Sequence, residues 1–486
     1  MIRILLYIFG AALLLGLLIA LLCLLRTLFI PVRRSDYKPA QDEERALKYA
    51  SKLSEMIRCD TTSYAETDQR EVFLNYHKTL EKLFPLVHEH LEKTEIDGSL
   101  LFKWKGENDK YPLIMMGHQD VVPVQQIEAW THGPFSGAID AGKVWGRGAV
   151  DDKGSCMTIF QAVEELLQQG YTPKQDTYIS TSCTEELSGD GCPAIVAELK
   201  RRGVKPWLVI DEGGGIYTDP MMGIKGNFAM IGVGEKGRGF LKFTATGKGG
   251  HGSTPQKNSP VIRLAKFICA AEKHSPFPSQ MSRETRAMLE ALAPSASFPI
   301  RLILENLWFF RYPIMWFTPA INGQAAAMLG STLTFTMMKG SDAGNVIPQE
   351  ASVTADIRSS GHQNMAESIE AIRKLAAKYG IETEIVQAVD GTKRVDIEGD
   401  AYEYVKSTVS KTFPGCVSSP YVLTGGTDAF FYDDLCDNCI RFTPLIYGPE
   451  EKKGIHGIDE ALRYDCLPGA VDFYIKLIRD NHSSDI

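Results

Sequence analysis

The chain opens on an uncharged apolar run from Ile4 to Leu25, with Arg3 before it and Arg26, Arg33 and Arg34 after it. Such a run is long enough to span a bilayer. It passes from Leu24 and Leu25 straight into Arg26 with no small-residue cleavage site, which predicts an uncleaved transmembrane anchor over residues 1–30 rather than a signal peptide. Residues 31–41 are polar and contain Pro31 and Pro39, the pattern of a linker. A helix is expected from about Asp42 to Ile57. From there to about Gly234, strand-type apolar runs (YPLIMMG, TYISTSC, PWLVID) alternate with helical stretches such as CMTIFQAVEELLQQG. That alternation predicts an α/β domain on a mostly parallel sheet.

Past Arg238 the pattern changes. GFLKFTATG reads as a strand, 261–271 as a helix, LTFTMMKG and ASVTADIR as strands, MAESIEAIRKLAAKYG as a helix and IETEIVQAV as a strand. In order this is βαββαβ, an α+β unit at residues 238–390 inserted into the larger domain, whose two parts are then 42–237 and 391–486. A helix near 401–412, the β-run IRFTPLIYG and a last helix near 468–479 complete the second part. The stretch 275–330, centred on LWFFRYPIMWF, is more aromatic than a connection needs to be. It reads as core of the inserted unit, or as a wall of a hydrophobic substrate site or a second membrane contact.

Composition narrows the function classes. With 486 residues, 44% apolar and 23% charged, the chain can bury the cores of two domains, and a formal charge of −8 without basic runs in the body excludes an electrostatic footprint for nucleic acid. The ten cysteines are scattered, and the pair Cys436 and Cys439 stands without a second pair, so structural or free thiols are expected. Basic residues are more numerous after the apolar run than before it, which favours a cytoplasmic body. The sequon Asn481-His482-Ser483 points the other way. The working expectation is a single-pass protein with a lumenal or extracellular body, its orientation open.

Acids and imidazoles recur where β-runs end. His118 and Asp120 follow YPLIMMG, Asp151 and Asp152 precede a helix, Glu185 and Glu186 follow TYISTSC, Asp211 and Glu212 close PWLVIDE, and His456 follows the last β-run. The carboxyl ends of strands in an open α/β sheet line the ligand crevice, so these groups are expected to converge. Two histidines among several carboxylates suit zinc, cobalt or manganese. Asp120, two residues beyond His118 on an extended segment, faces the same way and is placed to orient that imidazole. Glu185 and Glu186 point apart, so one can bind metal while the other serves as general base. Asp151 is the candidate bridging carboxylate between two metals.

The strings GHQDVVPV, WTHGPFSGAIDAGKVWGRGAVDDKGS, CTEELSGDG, IDEGG, GKGGHGSTP, GGTDAFF and HGIDE resemble the co-catalytic zinc peptidase family. That family includes aminoacylase, the glutamate-releasing carboxypeptidase, and carboxypeptidase S with its N-fatty-acyl-amino-acid hydrolase relatives. The likeness runs over roughly residues 45 to 480 in the family's order. It implies two Zn2+, with Co2+ or Mn2+ as substitutes: one held by His118, Asp151 and one of Asp211 or Glu212, the other by Asp151, Glu186 and His456. The family has one acid where Asp211 and Glu212 stand together; Asp211 is the expected ligand and Glu212 stays open. Asp120 and Glu185 would be catalytic. The likeness also implies that the inserted unit is a lid and dimerisation domain in a homodimer. His251 would then reach a partner subunit's site and stabilise an oxyanion. Asn345 and Arg358 would hold a substrate carboxylate, with the Gly425-Gly426-Thr427 turn adding backbone donors; for Arg358 a strand-end salt bridge is the alternative.

The implied activity is hydrolysis of an amide bond beside a free carboxylate, a carboxypeptidase acting on small peptides. The first rival is an amidase or synthase of fatty-acyl amino acids. The second is a membrane-tethered binding protein with an inert metal site, disfavoured because the base position, Glu185, is filled.

Overall fold

A computed structural model describes residues 2–64 and 70–482. The first element is a 28-residue helix, Ile2–Phe29, exposed over most of its length and, among the described residues, the one helix long and apolar enough to cross a membrane. At 1.5 Å per residue it is about 42 Å long, against a hydrocarbon core of about 30 Å.

The larger body is built on a ten-stranded sheet. At its centre the strand Asn108–His118 lies parallel to Gln175–Ser182 on one side and to Leu208–Asp211 on the other, with His118 in register with Ser182. The sheet is mixed, parallel at its centre and antiparallel toward its edge. Glu92–Ile96 and Ser99–Trp104 run antiparallel across the two-residue hairpin Asp97-Gly98, with positive φ at both positions, and Ser99–Trp104 is also antiparallel to Gln175–Ser182. Beyond the centre, Cys439–Arg441 is parallel to Leu208–Asp211 but antiparallel to Asn227–Glu235.

Helices cover both faces. On one, Glu43–Ile57 begins at Asp42, whose carboxylate accepts the Arg45 N–H at 3.2 Å, and buries Ala46, Tyr49, Ala50, Leu53 and Ile57 at helical spacing. With Lys153–Gln168 and Leu467–Arg479 it forms the main apolar core. On the other, Cys192, Ile195, Val196 and Leu199 of the helix Gly191–Arg201 pack on Leu101, Ile114, Met116 and Tyr178 of the sheet.

The chain leaves this sheet at Glu235 and returns beside it at Thr392, whose hydroxyl accepts the Glu235 N–H at 2.8 Å. Between these points lies a four-stranded antiparallel sheet in the order Thr332–Lys339, Glu350–Ser359, Gly237–Thr246, Glu382–Val389. Helices Pro260–Lys273 and Met365–Ala377 place Leu264, Phe267, Ile369 and Ile372 over its Leu241, Phe243, Val353 and Ile357.

Apart from Phe277, the aromatic stretch does not pack into that second core. It forms helices Arg283–Leu292, Phe298–Leu304, Leu307–Ile321 and Gly323–Leu329. Met288, Leu289, Leu292, Leu304 and Leu307 cover Ile224, Phe228, Met230 and Val417, so the insertion is cemented to the large sheet. Trp316 and Phe317 remain 75% and 67% exposed.

All ten cysteines are free, Cys436 and Cys439 among the buried ones. Asn481 is buried, its amide donating to the Tyr111 carbonyl at 3.1 Å. A glycan on that nitrogen needs the tail undocked, which removes the support the sequon lent to a lumenal body; Ser483 lies outside the described residues.

Candidate metal centre

Three strand ends and two loops meet above the carboxyl edge of the central strands. His118 ends its strand with a ring 1% exposed. Its Nδ1 bonds the Asp120 carbonyl oxygen at 2.9 Å, which leaves Nε2 facing the cluster, 2.9 Å from Asp151 Oδ1 and 3.9 Å from Glu212 Oε1. The other carboxylate oxygen of Asp151 lies 3.1 Å from His456 Nε2, and Glu186 Oε2 lies 3.2 Å from the same nitrogen. Asp151 therefore stands between two imidazoles, one oxygen toward each. Two groups with ligand atoms within 4.8 Å of one another share it: His118, Asp151 and Glu212, and Asp151, Glu186 and His456. A third joins His118, Glu185 and Glu186.

Asp211 stays outside these groups. Successive side chains at a strand end point to opposite sides, and Asp211 Oδ2 turns back to accept the Ala429 N–H at 2.7 Å while Glu212 faces His118. Asp120 does more than sit behind His118. Its two oxygens accept the backbone N–H groups of Glu185 at 3.1 Å and Glu186 at 3.2 Å, so one buried carboxylate holds the turn that carries both glutamates.

The charges of the cluster are unbalanced. Burial, Asp428, Asp151 and Glu186 push the Glu185 carboxyl well above its usual range against the pull of His118. Burial and the neighbouring Asp151 and Asp152 do the same to Glu212. Burial also raises Asp151, but hydrogen bonds from His118 and His456 overcome it and hold this carboxyl low. Hydrogen bonds to Asp151 and Glu186 push His456 up to about 10. Glu186 Oε1 and Asp152 Oδ1 are buried without a hydrogen-bond partner among the described residues. Crowded acids, two rings aimed at one carboxylate and an orphaned buried oxygen fit bound cations.

Two contributors escaped the sequence reading. Glu460, in HGIDE, is fully buried: Oε2 accepts Arg147 Nη1 at 2.6 Å, and Oε1 accepts the N–H groups of Val150 at 2.8 Å and Asp151 at 3.1 Å. Arg147 Nη2 also donates to Gly457 O at 2.8 Å. This pair ties the loop bearing His456, a residue at φ +55°, to the segment bearing Asp151. Asp428, in GGTDAFF, sits under the cluster, its Oδ2 accepting from the Ser182 hydroxyl; burial and Asp211 push it up to about 7. Both residues lay in quoted motifs, and the one available signal was an acid inside an apolar or glycine-rich string.

The remaining candidates are not brought to the cluster by their own chain. His251 is exposed, its Nδ1 2.8 Å from Ser253 Oγ. Asn345 is exposed, its carbonyl accepting the Gly252 N–H. Arg358 is engaged by Asp356 through Nε at 2.9 Å and Nη2 at 3.1 Å, while its Nη1 reaches Thr424 O at 3.5 Å, beside the turn Gly425-Gly426-Thr427. Thr427 Oγ1 donates to Glu235 at 3.0 Å.

The peptidase family M20/M25/M40 matches residues 114–480. The chain belongs to that family. It is therefore a hydrolase of the metallopeptidase type. It is 31% identical to a probable carboxypeptidase S-like protein of Dictyostelium discoideum, over 89% of this chain and 85% of that one. It is also 31% identical to an N-fatty-acyl-amino acid synthase/hydrolase of Homo sapiens, over 95% and 96%. Among solved structures, an M20 metallo-carboxypeptidase of Sulfolobus solfataricus shares the fold with a TM-score of 0.65 at 17% identity, covering 88% of this chain and 98% of its own.

Proposed function

We propose that this M20 protein is a membrane-anchored, two-zinc hydrolase that cuts an amide bond beside a free carboxylate and releases the amino acid bearing it. The observation that carries the reading is Asp151, shared between a His118 group and a His456 group at 2.9 and 3.1 Å. His118, Asp151 and Glu212 would hold one ion, and Asp151, Glu186 and His456 the other. Imidazole and carboxylate donors without cysteine suit Zn2+, with Co2+ or Mn2+ tolerated. When bound, the ions supply Lewis acidity toward the amide carbonyl and toward a water molecule.

Glu185 takes the water's proton and passes it to the departing nitrogen. Its buried, acid-crowded setting raises its proton affinity, as a base that must also act as an acid requires. Asp120 keeps His118 in one orientation and holds Glu185 in place through its backbone N–H. Residues 238–390 serve as lid and dimerisation unit of a homodimer. His251, exposed and remote from its own cluster, acts at the partner's site as the oxyanion donor. Arg358, Asn345 and the Gly425–Thr427 turn receive the substrate carboxylate, Arg358 giving up part of its bidentate hold on Asp356.

The helix Ile2–Phe29 is retained as the anchor. Arg301 and Asn306 donate to the carbonyls of Thr27 and Cys23 near its end, and cleavage would take these acceptors from the buried Arg301 guanidinium and leave Asn306 with the Leu302 carbonyl alone. The substrate is a small peptide, and a fatty-acyl amino acid is the second reading, favoured by the human relative whose whole length matches.

The test is a panel on the zinc-loaded full chain in detergent: dipeptides, N-acetyl and N-oleoyl amino acids, and each with its carboxylate amidated. Hydrolysis should require the free carboxylate, and the ratio of peptide to N-oleoyl turnover separates the two readings. Inactivity on every N-blocked amino acid would return the chain to a tethered binding protein.

A further inference from the structure

The last turns of the N-terminal helix are not bare. Cys23 and Thr27 are 3% and 0% exposed on a helix otherwise open to its surroundings, because the segment Phe298–Leu307 covers them. The junction is polar and buried. Asn306 Nδ2 donates to Cys23 O at 3.2 Å and to Thr27 Oγ1 at 3.0 Å, and Arg301 Nη2 donates to Thr27 O at 2.5 Å and Ile30 O at 3.5 Å. These bonds fasten the insertion within two turns of Phe29. The uncharged run ends at Leu25, which puts Arg26 and the turn after it at headgroup level.

From that junction runs the helix Leu307–Ile321, with no acidic residue and Arg311 its single charge. Trp308, Tyr312 and Trp316, spaced four apart, share one face and are 45%, 51% and 75% exposed; Phe317 beside them is 67% exposed. Arg311 Nη2 donates to the Tyr312 hydroxyl at 3.0 Å, which sets a cation beside the ring. Exposed tryptophan and tyrosine with a neighbouring arginine is the composition of a membrane interface. The inner side of the insertion, through Leu304 and Leu307, is locked to Phe228 and Met230 of the catalytic sheet.

We propose that the helix Leu307–Ile321 is a second membrane contact, lying in the headgroup layer of a phospholipid bilayer beside the exit point of the anchor. The proposal rests on the reading of Ile2–Phe29 as a retained span. The occupant of the aromatic face is lipid rather than a second copy of the chain, because the face continues from an apolar span to which it is hydrogen-bonded. Two contacts in place of one hold the catalytic sheet at a set angle to the membrane, where a single flexible tether would let it tumble.

The experiment uses the full chain reconstituted into phosphatidylcholine vesicles, with or without a phosphatidylcholine brominated near the glycerol end of its acyl chain. Tryptophan fluorescence is read for the wild type and for W308F/W316F, and carbonate extraction of the same vesicles reports whether the span is embedded. The other four tryptophans, Trp104, Trp130, Trp145 and Trp207, lie in the catalytic body. Brominated lipid should quench about a third of the wild-type signal, two tryptophans of six, and leave the variant unquenched. Carbonate-resistant protein with equal quenching in both proteins, or none in either, overturns this inference and leaves the anchor standing. Protein released by carbonate overturns the anchor, and the inference with it.

Discussion

Glu460 is the sharpest place to perturb the centre without touching a ligand. Its carboxylate is fully buried and accepts from Arg147, itself 2% exposed, and from the N–H groups of Val150 and Asp151. In Glu460→Ala the guanidinium is left in the interior without its counter-charge, which costs about 3–5 kcal/mol. Each orphaned N–H adds about 1–3 kcal/mol. The three losses share one network and do not sum, so destabilisation on the order of 5 kcal/mol is expected. Glu460→Gln keeps one oxygen as acceptor but likewise removes the counter-charge of Arg147, so about 3–5 kcal/mol is expected. Both variants free Asp151 and the His456 loop, and residues that orient ligands in this way typically govern about 10- to 100-fold in metal affinity. The assay is urea unfolding of the full chain in detergent by tryptophan fluorescence, with zinc affinity measured in parallel against a chromophoric chelator. Zinc affinity of Glu460→Gln within twofold of wild type would refute the orienting role. An unshifted unfolding midpoint for Glu460→Ala would refute the energetic argument itself.

Further outcomes follow from the same geometry. Glu185→Gln should keep both metals by elemental analysis and lose at least about a hundredfold in turnover; near-normal activity removes Glu185 from the proton path. Glu212→Gln should lose at least about tenfold in affinity for one zinc, whereas Asp211→Asn, whose amide oxygen still accepts the Ala429 N–H, should not; the reverse result makes Asp211 the ligand. In metal-free protein His456 is raised to about 10 and His118 also lies above its ordinary value, burial notwithstanding, through Asp120 and Asp151. The His456 ring is then protonated at neutral pH, and zinc must displace that proton, so apparent affinity should rise with pH from 6 to 8, up to about tenfold per unit. Titration calorimetry in Hepes and in Tris reads the release, and a heat independent of buffer contradicts it. Mixed dimers of His251→Ala and Glu185→Gln should regain activity, since one hybrid site is intact; verified heterodimers that stay inactive confine His251 to its own chain or to no role.

What this chain's residues settle on their own is local. Alternation of apolar runs with helical periodicity marks strand ends, and acids or imidazoles at strand ends are legible as a converging set because every parallel strand delivers its end to one edge. His118 and Glu186 belong to that class, whereas Asp151 and His456 reach the same edge on loops. The strands Gly237–Thr246, Thr332–Lys339, Glu350–Ser359 and Glu382–Val389 and the helices Pro260–Lys273 and Met365–Ala377 are legible because each carries its own period. Which of two adjacent acids faces the edge is not local. Asp211 and Glu212 differ only in the side of the strand they occupy, and the partner that claims Asp211, the Ala429 N–H, arrives from more than two hundred residues away. Glu460 is likewise silent in sequence, because a buried carboxylate acquires its role from Arg147 and the Val150–Asp151 backbone, brought together by folding. The mixed character of the sheet depends on which strands become neighbours, and so does the outward face of Leu307–Ile321. A pattern of apolar residues states that a surface must be covered, and only the packed structure decides whether protein covers it.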